Sequence, residues 1–456
     1  MKNYELVIIG GGPGGYHAAD IAGKSGIQTL LIEKHKLGGV CLNEGCIPSK
    51  ALLNSAKQYT YALHGDSYGV HAKDITFNME EVVNRKNQVV KTLVDGVGYK
   101  MKTSKVTVIE GTAEIIKKEN QDYILKVNEQ QYSAKKLIIA TGSTPILPPI
   151  EGLSEALKSK KILTSKETLD LTELPKNLTV IGGGVIGLEM ASYFAQIGSK
   201  VTVIEMQPTI GGALDQELSK ELKKILENQG ISFKLNAKVT KISDHEITYS
   251  LNDESYTIKH DYALLSVGRK ANTKDLGIEN IHIELSKNGA IITDDQLKTN
   301  IANVYAIGDV NGKSMLAHTA YKEAEVCISN IQGKADYIEY DYIPSVIYTN
   351  PEVSSVGYTE AQAKEKGYDV KVIKLPVSYS GRHLAESNDK NGFLKLIINQ
   401  KKNTLIGAHI LSLYASEIIL FLSSMIHLEI QIETLKQIIY PHPTVGELIK
   451  DALFHI

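Results

Sequence analysis

The sequence is poor in cysteine: 456 residues contain three, at positions 41, 46 and 327. So few cannot build a disulfide framework. They suit a reducing compartment, where a disulfide serves chemistry rather than stability, so a cytoplasmic protein is expected. Nor can they form a cysteine zinc site. That needs four N or S ligands at short paired spacings, and there is no second cysteine pair, so no metal is expected. Net charge is also lacking. Fifty Lys and Arg against 52 Asp and Glu leave a formal charge of −2, which offers no basic field to nucleic acid. A membrane span is not expected either. The least polar late stretch, Leu411 to Ile430, carries Glu417 and several serines, and reads as a buried or interface helix. No Arg-rich amphipathic or secretory leader is expected, because residues 4–9 already read as a strand.

What the chain has is glycine, 37 residues in all, much of it clustered. The length exceeds what one core supports, so two or three domains are expected. Tyr4 to Ile9 reads as a buried parallel strand. Gly10, Gly12 and Gly15 then fill G-x-G-x-x-G, and Tyr16 to Ala22 can form a helix. In that pattern the first glycine permits the turn and the second admits a pyrophosphate. The third lets helix and strand pack closely. The phosphates then meet the unpaired N–H groups of the helix N-terminus. A second strand, Thr29 to Ile32, ends at Glu33, where a ribose hydroxyl needs an acceptor.

The whole unit recurs. Leu178 to Ile181 leads into Gly182, Gly184 and Gly187, a helical run from Leu188 to Ile197, and a strand from Val201 to Ile204 that ends at Glu205. Glu33 follows Gly10, and Glu205 follows Gly182, at the same interval. One such fingerprint is weak evidence; two in equal register point to two dinucleotides. Glu205 accepts a ribose 2′-OH and repels a 2′-phosphate. Met206 to Thr209 contains no arginine, so NAD is favoured over NADP at the second site.

Further strands end in turns. Leu137 to Ala140 runs into Thr141 and Gly142, and Pro145, Pro148 and Pro149 mark a boundary. Leu264 to Val267 runs into Gly268 and Arg269, and Val304 to Ile307 into Gly308 and Asp309. From about residue 341 strands and helices alternate without glycine clusters, which suggests a separate C-terminal domain. Cys41 and Cys46 lie between the first fingerprint and the remainder, with four residues between them. A pair there suits a two-electron thiol–disulfide relay. Cys327, flanked by apolar residues, reads as a core thiol.

Together these segments resemble the flavoprotein disulfide reductases, over nearly the whole chain, and within them the dihydrolipoamide dehydrogenase branch. The redox motif is Cys41-Leu42-Asn43-Glu44-Gly45-Cys46-Ile47-Pro48-Ser49-Lys50. The ribityl motif is Ala306-Ile307-Gly308-Asp309, and Met315-Leu316-Ala317-His318 is similar to the branch's flavin-side helix start. Pro344 to Glu352 resembles the opening of a dimerisation domain, and His442 to Glu447 the catalytic-base motif. Val40 stands where threonine is usual, and Ala271 where proline is. Neither change removes a reactive group. No lipoyl-carrier segment is expected before the first strand.

The resemblance implies an α/β chain with two Rossmann-like nucleotide-binding domains and an α+β C-terminal dimerisation domain. The boundaries expected are 1–146 for FAD, 147–271 for NAD, 272–340 continuing the FAD domain, and 341–456 for dimerisation. FAD would be held by Gly10, Gly12, Gly15, Glu33, Lys50, Thr141, Gly142, Asp309 and Ala317. NAD would be held by Gly182, Gly184, Gly187, Glu189, Glu205 and Gly268. Cys41 would be the interchange thiol and Cys46 the flavin-side thiol. Lys50, one helical turn beyond Cys46, would pair with Glu189. His442, oriented by Glu447, would be the thiol base, reaching the disulfide of the other subunit in a homodimer. The implied reaction oxidises dihydrolipoamide on the lipoyl domain of an acyltransferase (E2) or on an H-protein-like carrier, and reduces NAD+. Two alternatives stay open at this point: a reductase of another disulfide or of a metal ion, and a non-catalytic subunit that keeps the nucleotide folds.

Overall fold

The structure is a computed structural model and describes residues 1–455. Its chain divides into two compact units, one of residues 1–51, 81–147 and 268–340, the other of 52–80, 148–267 and the described residues from 341 onward.

The first unit is built on a seven-stranded sheet. Its centre is the strand Lys2–Ile9, whose last four residues are fully apolar and buried. It pairs in parallel with Thr29–Glu33 on one side and Gln130–Ile139 on the other. A run buried on both faces is what a parallel sheet covered by helices requires. Thr29–Glu33 in turn pairs in parallel with Thr107–Glu110. The long strand Gln130–Ile139 divides its partners. Its first half pairs antiparallel with Asp122–Val127, and its last three residues pair in parallel with Val304–Ala306. The fingerprint helix Pro13–Lys24 begins three residues earlier than its apolar pattern suggests. Proline is tolerated at the first helical position, where its missing N–H has no intrahelical role.

The second unit repeats the plan. Five parallel strands run in the order Ser232–Lys234, Lys200–Ile204, Asn177–Ile181, Tyr262–Leu265 and Ile162–Leu163. The helix Val185–Gln196 follows the second glycine loop. An antiparallel five-stranded sheet of residues 345–412 forms the C-terminal α+β domain. Phe393–Asn399 and Thr404–Ser412 are buried along their whole length. The helices Ala415–His427 and Glu447–Phe454 contribute to the same apolar core. The stretch expected as one helix from Leu411 is therefore split. Leu411 and Ser412 finish a buried strand, and the chain turns at Tyr414 (φ +62°) before helix begins. An apolar run does not by itself distinguish a buried strand from a buried helix.

One buried charge cluster joins this domain to the helix Gln216–Asn228 of the same unit. Lys395, its side chain 3% exposed, lies 3.0 Å from Asp215, 2.9 Å from Glu217 and 3.1 Å from Glu360. Burial alone would lower the lysine pKa, but the three carboxylates raise it further than burial lowers it. Glu217 is held below the usual range by Lys374 and then Lys395, and Glu360 by Lys364 and then Lys395. Because the folded pKa of each glutamate is depressed, its contribution is complete above the ordinary carboxylate pKa. It is lost as pH falls through the depressed value. The lysine works the other way, contributing below its ordinary pKa and losing that contribution only at higher alkalinity. Lys395→Met is expected to cost about 3 kcal/mol, since it leaves buried Asp215 uncompensated. The variant should also lose part of the wild-type fall in stability towards acid. Urea unfolding across a pH series measures both.

Candidate active site

Each glycine fingerprint is shaped by contacts that side chains would break. Gly10 has φ +105° and Gly182 φ +106°. A Cβ on Gly15 would sit 1.8 Å from the Gly10 carbonyl oxygen, and one on Gly187 2.1 Å from that of Gly182. At the middle positions the loops are open. The nearest atom to a Cβ on Gly12 would be Gly39 Cα at 3.8 Å, and a Cβ on Gly184 would meet nothing within 4 Å. Close packing at the third glycine and open space at the second, above a helix N-terminus, fit a pyrophosphate.

The two acids sit alike. Glu33 accepts from Gly11 N–H at 2.7 Å and from His35 N–H at 2.8 Å. Glu205 accepts from Gly183 N–H at 2.6 Å and from Gln207 N–H at 2.7 Å. Two amides fix each carboxylate, and its remaining lone pairs can take ribose hydroxyls. Met206 beside Glu205 is exposed. Glu205→Ala combined with Met206→Arg is expected to move the kcat/KM ratio of NADPH to NADH by at least about tenfold, because a repulsion is removed and a guanidinium added. Diaphorase assays with both nucleotides would measure it.

The cysteine segment is fastened to the first glycine loop. Gly38 N–H donates to the Gly11 carbonyl at 2.8 Å, and a Cβ on Gly39 would lie 2.6 Å from Gly12 Cα. Cys41 lies on the short helix Gly39–Glu44, braced by Asn43 Nδ2, which donates to the Leu37 and Gly39 carbonyls. Cys46 is the first residue of the helix Cys46–Leu63. A thiolate there meets the positive end of the helix dipole. Cys41 is half-buried and Cys46 exposed, and neither stands in a disulfide. The hydrogen bond to Cys46 and then burial push the Cys41 thiol up, while the Lys50 ammonium draws it down. Lys50 Nζ donates to Ser49 Oγ at 3.3 Å. Cys327 is fully buried in the core, which pushes its thiol well up.

Around Asp309 the structure joins residues far apart in sequence. Asp309 accepts from Ser143 Oγ, and Arg269 donates from Nε to Ser143 Oγ at 2.8 Å and from Nη2 to the Ser143 carbonyl at 2.7 Å. Burial lowers the Arg269 pKa, against the opposing pull of Asp309, Glu44 and Cys46. Thr141 Oγ1 donates to the Asn272 carbonyl at 2.7 Å, while the Gly142 carbonyl accepts from Asn272 N–H at 2.9 Å. Ala317 opens the helix Ala317–Ile331. Gly268 (φ +119°) accepts from Ile146 N–H at 3.0 Å.

Glu323 carries no motif signal in the sequence. It is fully buried on that helix and accepts from Gly308 N–H, from Asn311 Nδ2 at 2.9 Å and from Tyr340 OH at 2.6 Å. It thus anchors the loop that carries Asp309. In sequence it looks like any helix-surface acid. It lies six residues after Ala317, and only its burial reveals the role.

In the second unit, buried Glu189 accepts from Tyr348 N–H at 3.1 Å. His442 is 79% exposed, and its Nδ1 lies 2.9 Å and 3.1 Å from the two oxygens of Glu447. Glu447 opens the helix Glu447–Phe454 and also accepts from Thr444 N–H at 2.8 Å. Burial acts to raise the Glu447 pKa, but the Thr444 amide and the His442 ring outweigh it and hold it low. The carboxylate therefore stays ionised and fixes Nδ1, leaving Nε2 as the ring nitrogen available to a proton.

Two family patterns match this chain. The pyridine nucleotide-disulphide oxidoreductase model covers residues 4–324, and its dimerisation domain covers 343–453. The chain belongs to the pyridine nucleotide-disulphide oxidoreductases. Members of that family use FAD and NAD(H), and the C-terminal domain supports a homodimer. The chain is 39% identical over 453 residues to the dihydrolipoyl dehydrogenase of Geobacillus stearothermophilus, covering 98% of this chain and 95% of the relative. It is 38% identical over 453 residues, with the same coverage, to that of Bacillus subtilis. Among solved structures it resembles the Cu(II) complex of the HOCl-induced flavoprotein disulfide reductase RclA from Escherichia coli. That match has 30% identity and a TM-score of 0.88, and covers 100% of both chains. LpdA from Mycobacterium tuberculosis, at 24% identity and a TM-score of 0.91, covers 100% of this chain and 99% of that one and shares the fold. The protein is thus a disulfide oxidoreductase. Among the described residues no helix is long and apolar enough to cross a membrane, and no group of three or more His, Cys, Asp or Glu could hold a metal ion.

Proposed function

We propose that this protein is an NAD-dependent dihydrolipoyl dehydrogenase, acting in the cytoplasm as the E3 component of a lipoyl-bearing complex. The observation that carries the reading is the cysteine pair docked on the first glycine loop, with Cys46 at a helix N-terminus. The His442–Glu447 pair supports it, as do dihydrolipoyl dehydrogenase relatives spanning nearly the whole chain.

In this account His442 Nε2 takes the proton from a dihydrolipoyl thiol, and Glu447 stabilises the imidazolium that forms. The lipoyl thiolate attacks Cys41 Sγ and breaks the Cys41–Cys46 bond. Cys46 leaves as a thiolate, stabilised by its helix N-terminus. The second lipoyl thiol attacks the first sulfur and closes the disulfide ring; its proton passes to the expelled Cys41 sulfur, and the Cys41–Cys46 pair keeps the two electrons. FAD, when bound, supplies two-electron carriage from this dithiol to NAD+. Gly10, Gly12, Gly15, Glu33, Lys50, Thr141, Gly142, Asp309 and Ala317 would hold the flavin. Gly182, Gly184, Gly187, Glu189, Glu205 and Gly268 would hold the nicotinamide nucleotide. The expected partner is a lipoyl domain of an acyltransferase or of an H-protein-like carrier.

A second reading is favoured by the RclA likeness: a reductase of another disulfide or of a metal ion. Steady-state kinetics separate the two. The first expects kcat/KM for dihydrolipoamide with NAD+ to exceed, by at least about 10²-fold, that for glutathione disulfide or Cu(II) with either reduced nucleotide. Comparable values, or a preference for the latter substrates, would overturn it.

A further inference from the structure

Two tyrosines 305 positions apart meet in the apolar cluster that carries Leu42, the neighbour of Cys41 in the chain. Tyr16 lies one turn into the first fingerprint helix, its N–H bonded to the Gly12 carbonyl at 2.9 Å. Tyr321 lies one turn into the helix Ala317–Ile331. Their hydroxyls are hydrogen-bonded, and their rings meet edge to face with centroids 6.0 Å apart. The glycine loop that starts the Tyr16 helix is the one to which Gly38 and Gly39 are fastened, which brings the cysteine segment alongside. Leu42 shares one apolar cluster with Tyr16, and Ile47 and Tyr321 pack against it. These neighbours lie next to Cys41 and Cys46 in the chain. Tyr16 is buried and Tyr321 half-buried.

We propose that the Tyr16–Tyr321 phenol pair donates a hydrogen bond to the thiolate formed when the Cys41–Cys46 disulfide is reduced. The proposal rests on the reading of that pair as the redox disulfide. Two hydroxyls bonded to each other use one proton between them, so the second proton is free for an outside acceptor. Cys41 is half-buried, and a thiolate formed there needs such a donor. Both phenols stay protonated throughout the working range. Burial, then the bond to Tyr321, pushes Tyr16 up, and burial pushes Tyr321 up; negative charge on Cys41 and Cys46 adds to both. No bond to carbon or sulfur forms or breaks at either phenol. The other charges near the thiols are Lys50, beside Cys41, and Arg269 with Glu44, near Cys46. On the far side of Tyr321 lie the His17 ring, at 5.2 Å between centroids, and Glu325, 3.4 Å from His17 Nε2. Phenylalanine at 16 or 321 leaves all of them in place.

The test is the pH dependence of iodoacetamide alkylation in the flavin-loaded protein after two-electron reduction, with the modified cysteine assigned by mass spectrometry. Only thiolate reacts. Tyr321→Phe should raise the alkylation midpoint by about one pH unit, equivalent to roughly tenfold slower alkylation near neutrality. Tyr16→Phe/Tyr321→Phe should raise it at least as far. Tyr321→Gln, which keeps an N–H donor, should return it towards wild type. Flavin-loaded Phe variants with the wild-type midpoint would overturn the proposal. Tyr321 is the half-exposed member, so its variant alone decides if Tyr16→Phe does not bind flavin. If the wild type takes up no electrons at its cysteines, the redox-pair reading itself fails.

Discussion

Cys46→Ser should lower dihydrolipoamide oxidation by roughly 10⁴-fold or more, the scale on which removal of a covalent participant acts. Without Cys46 no disulfide exists to accept the incoming thiolate, and no exchange can begin. The nucleotide sites are built elsewhere, on Gly10 to Gly15 and Gly182 to Gly187. Oxidation of NADH by an artificial electron acceptor should therefore survive. Cys41→Ser should abolish the same turnover but differ in colour. In that variant Cys46 remains at the helix N-terminus, where the dipole favours thiolate, and a long-wavelength thiolate-to-flavin band should appear near neutral pH. Cys46→Ser should lack it. Absorbance spectra of both variants, with the two activities, make the check. Equal bands in both would mean that the thiol roles are wrongly assigned.

The second large effect is expected at His442. His442→Gln removes the proposed thiol base, whose Nδ1 is clamped by a carboxylate held ionised. General-base catalysis is worth about 10²–10⁴-fold, and the loss should fall on one half-reaction. Reduction of the protein by dihydrolipoamide should slow on that scale, while reduction by NADH changes little. Glu447→Gln keeps the ring near its place but withdraws the charge that favours imidazolium, so its loss should be smaller and in the same half-reaction. Rapid-mixing measurements of each half-reaction test this. Equal losses in both would remove His442 from its role as thiol base.

The parts of this molecule that the sequence makes legible are those fixed by local spacing. Two glycine loops, each followed at the same interval by an acid, reveal the paired nucleotide folds because backbone sterics permit few other residues there. What is not legible depends on contacts between distant segments. Tyr16 and Tyr321 look like ordinary helical aromatics until the fold joins them. Ser143 and Arg269 open two paired strands, and Asp309 lies in the short helix Gly308–Asn311. Lys395 reads as a polar interruption of an apolar strand, and its partners Asp215, Glu217 and Glu360 lie far off in sequence. The boundary at Leu411 is hidden because a strand buried on both faces and a buried helix both appear as uninterrupted apolar runs.

In the proposed reaction an electron pair enters at Cys41 and Cys46 and leaves on NAD+. An anaerobic titration of the flavin-loaded protein with dihydrolipoamide, followed by NAD+, tests it directly. One equivalent of dithiol should raise a long-wavelength band, and NAD+ should discharge it with formation of an equivalent of NADH. A protein that bleaches its flavin without that band, or that passes no electrons to NAD+, would contradict it.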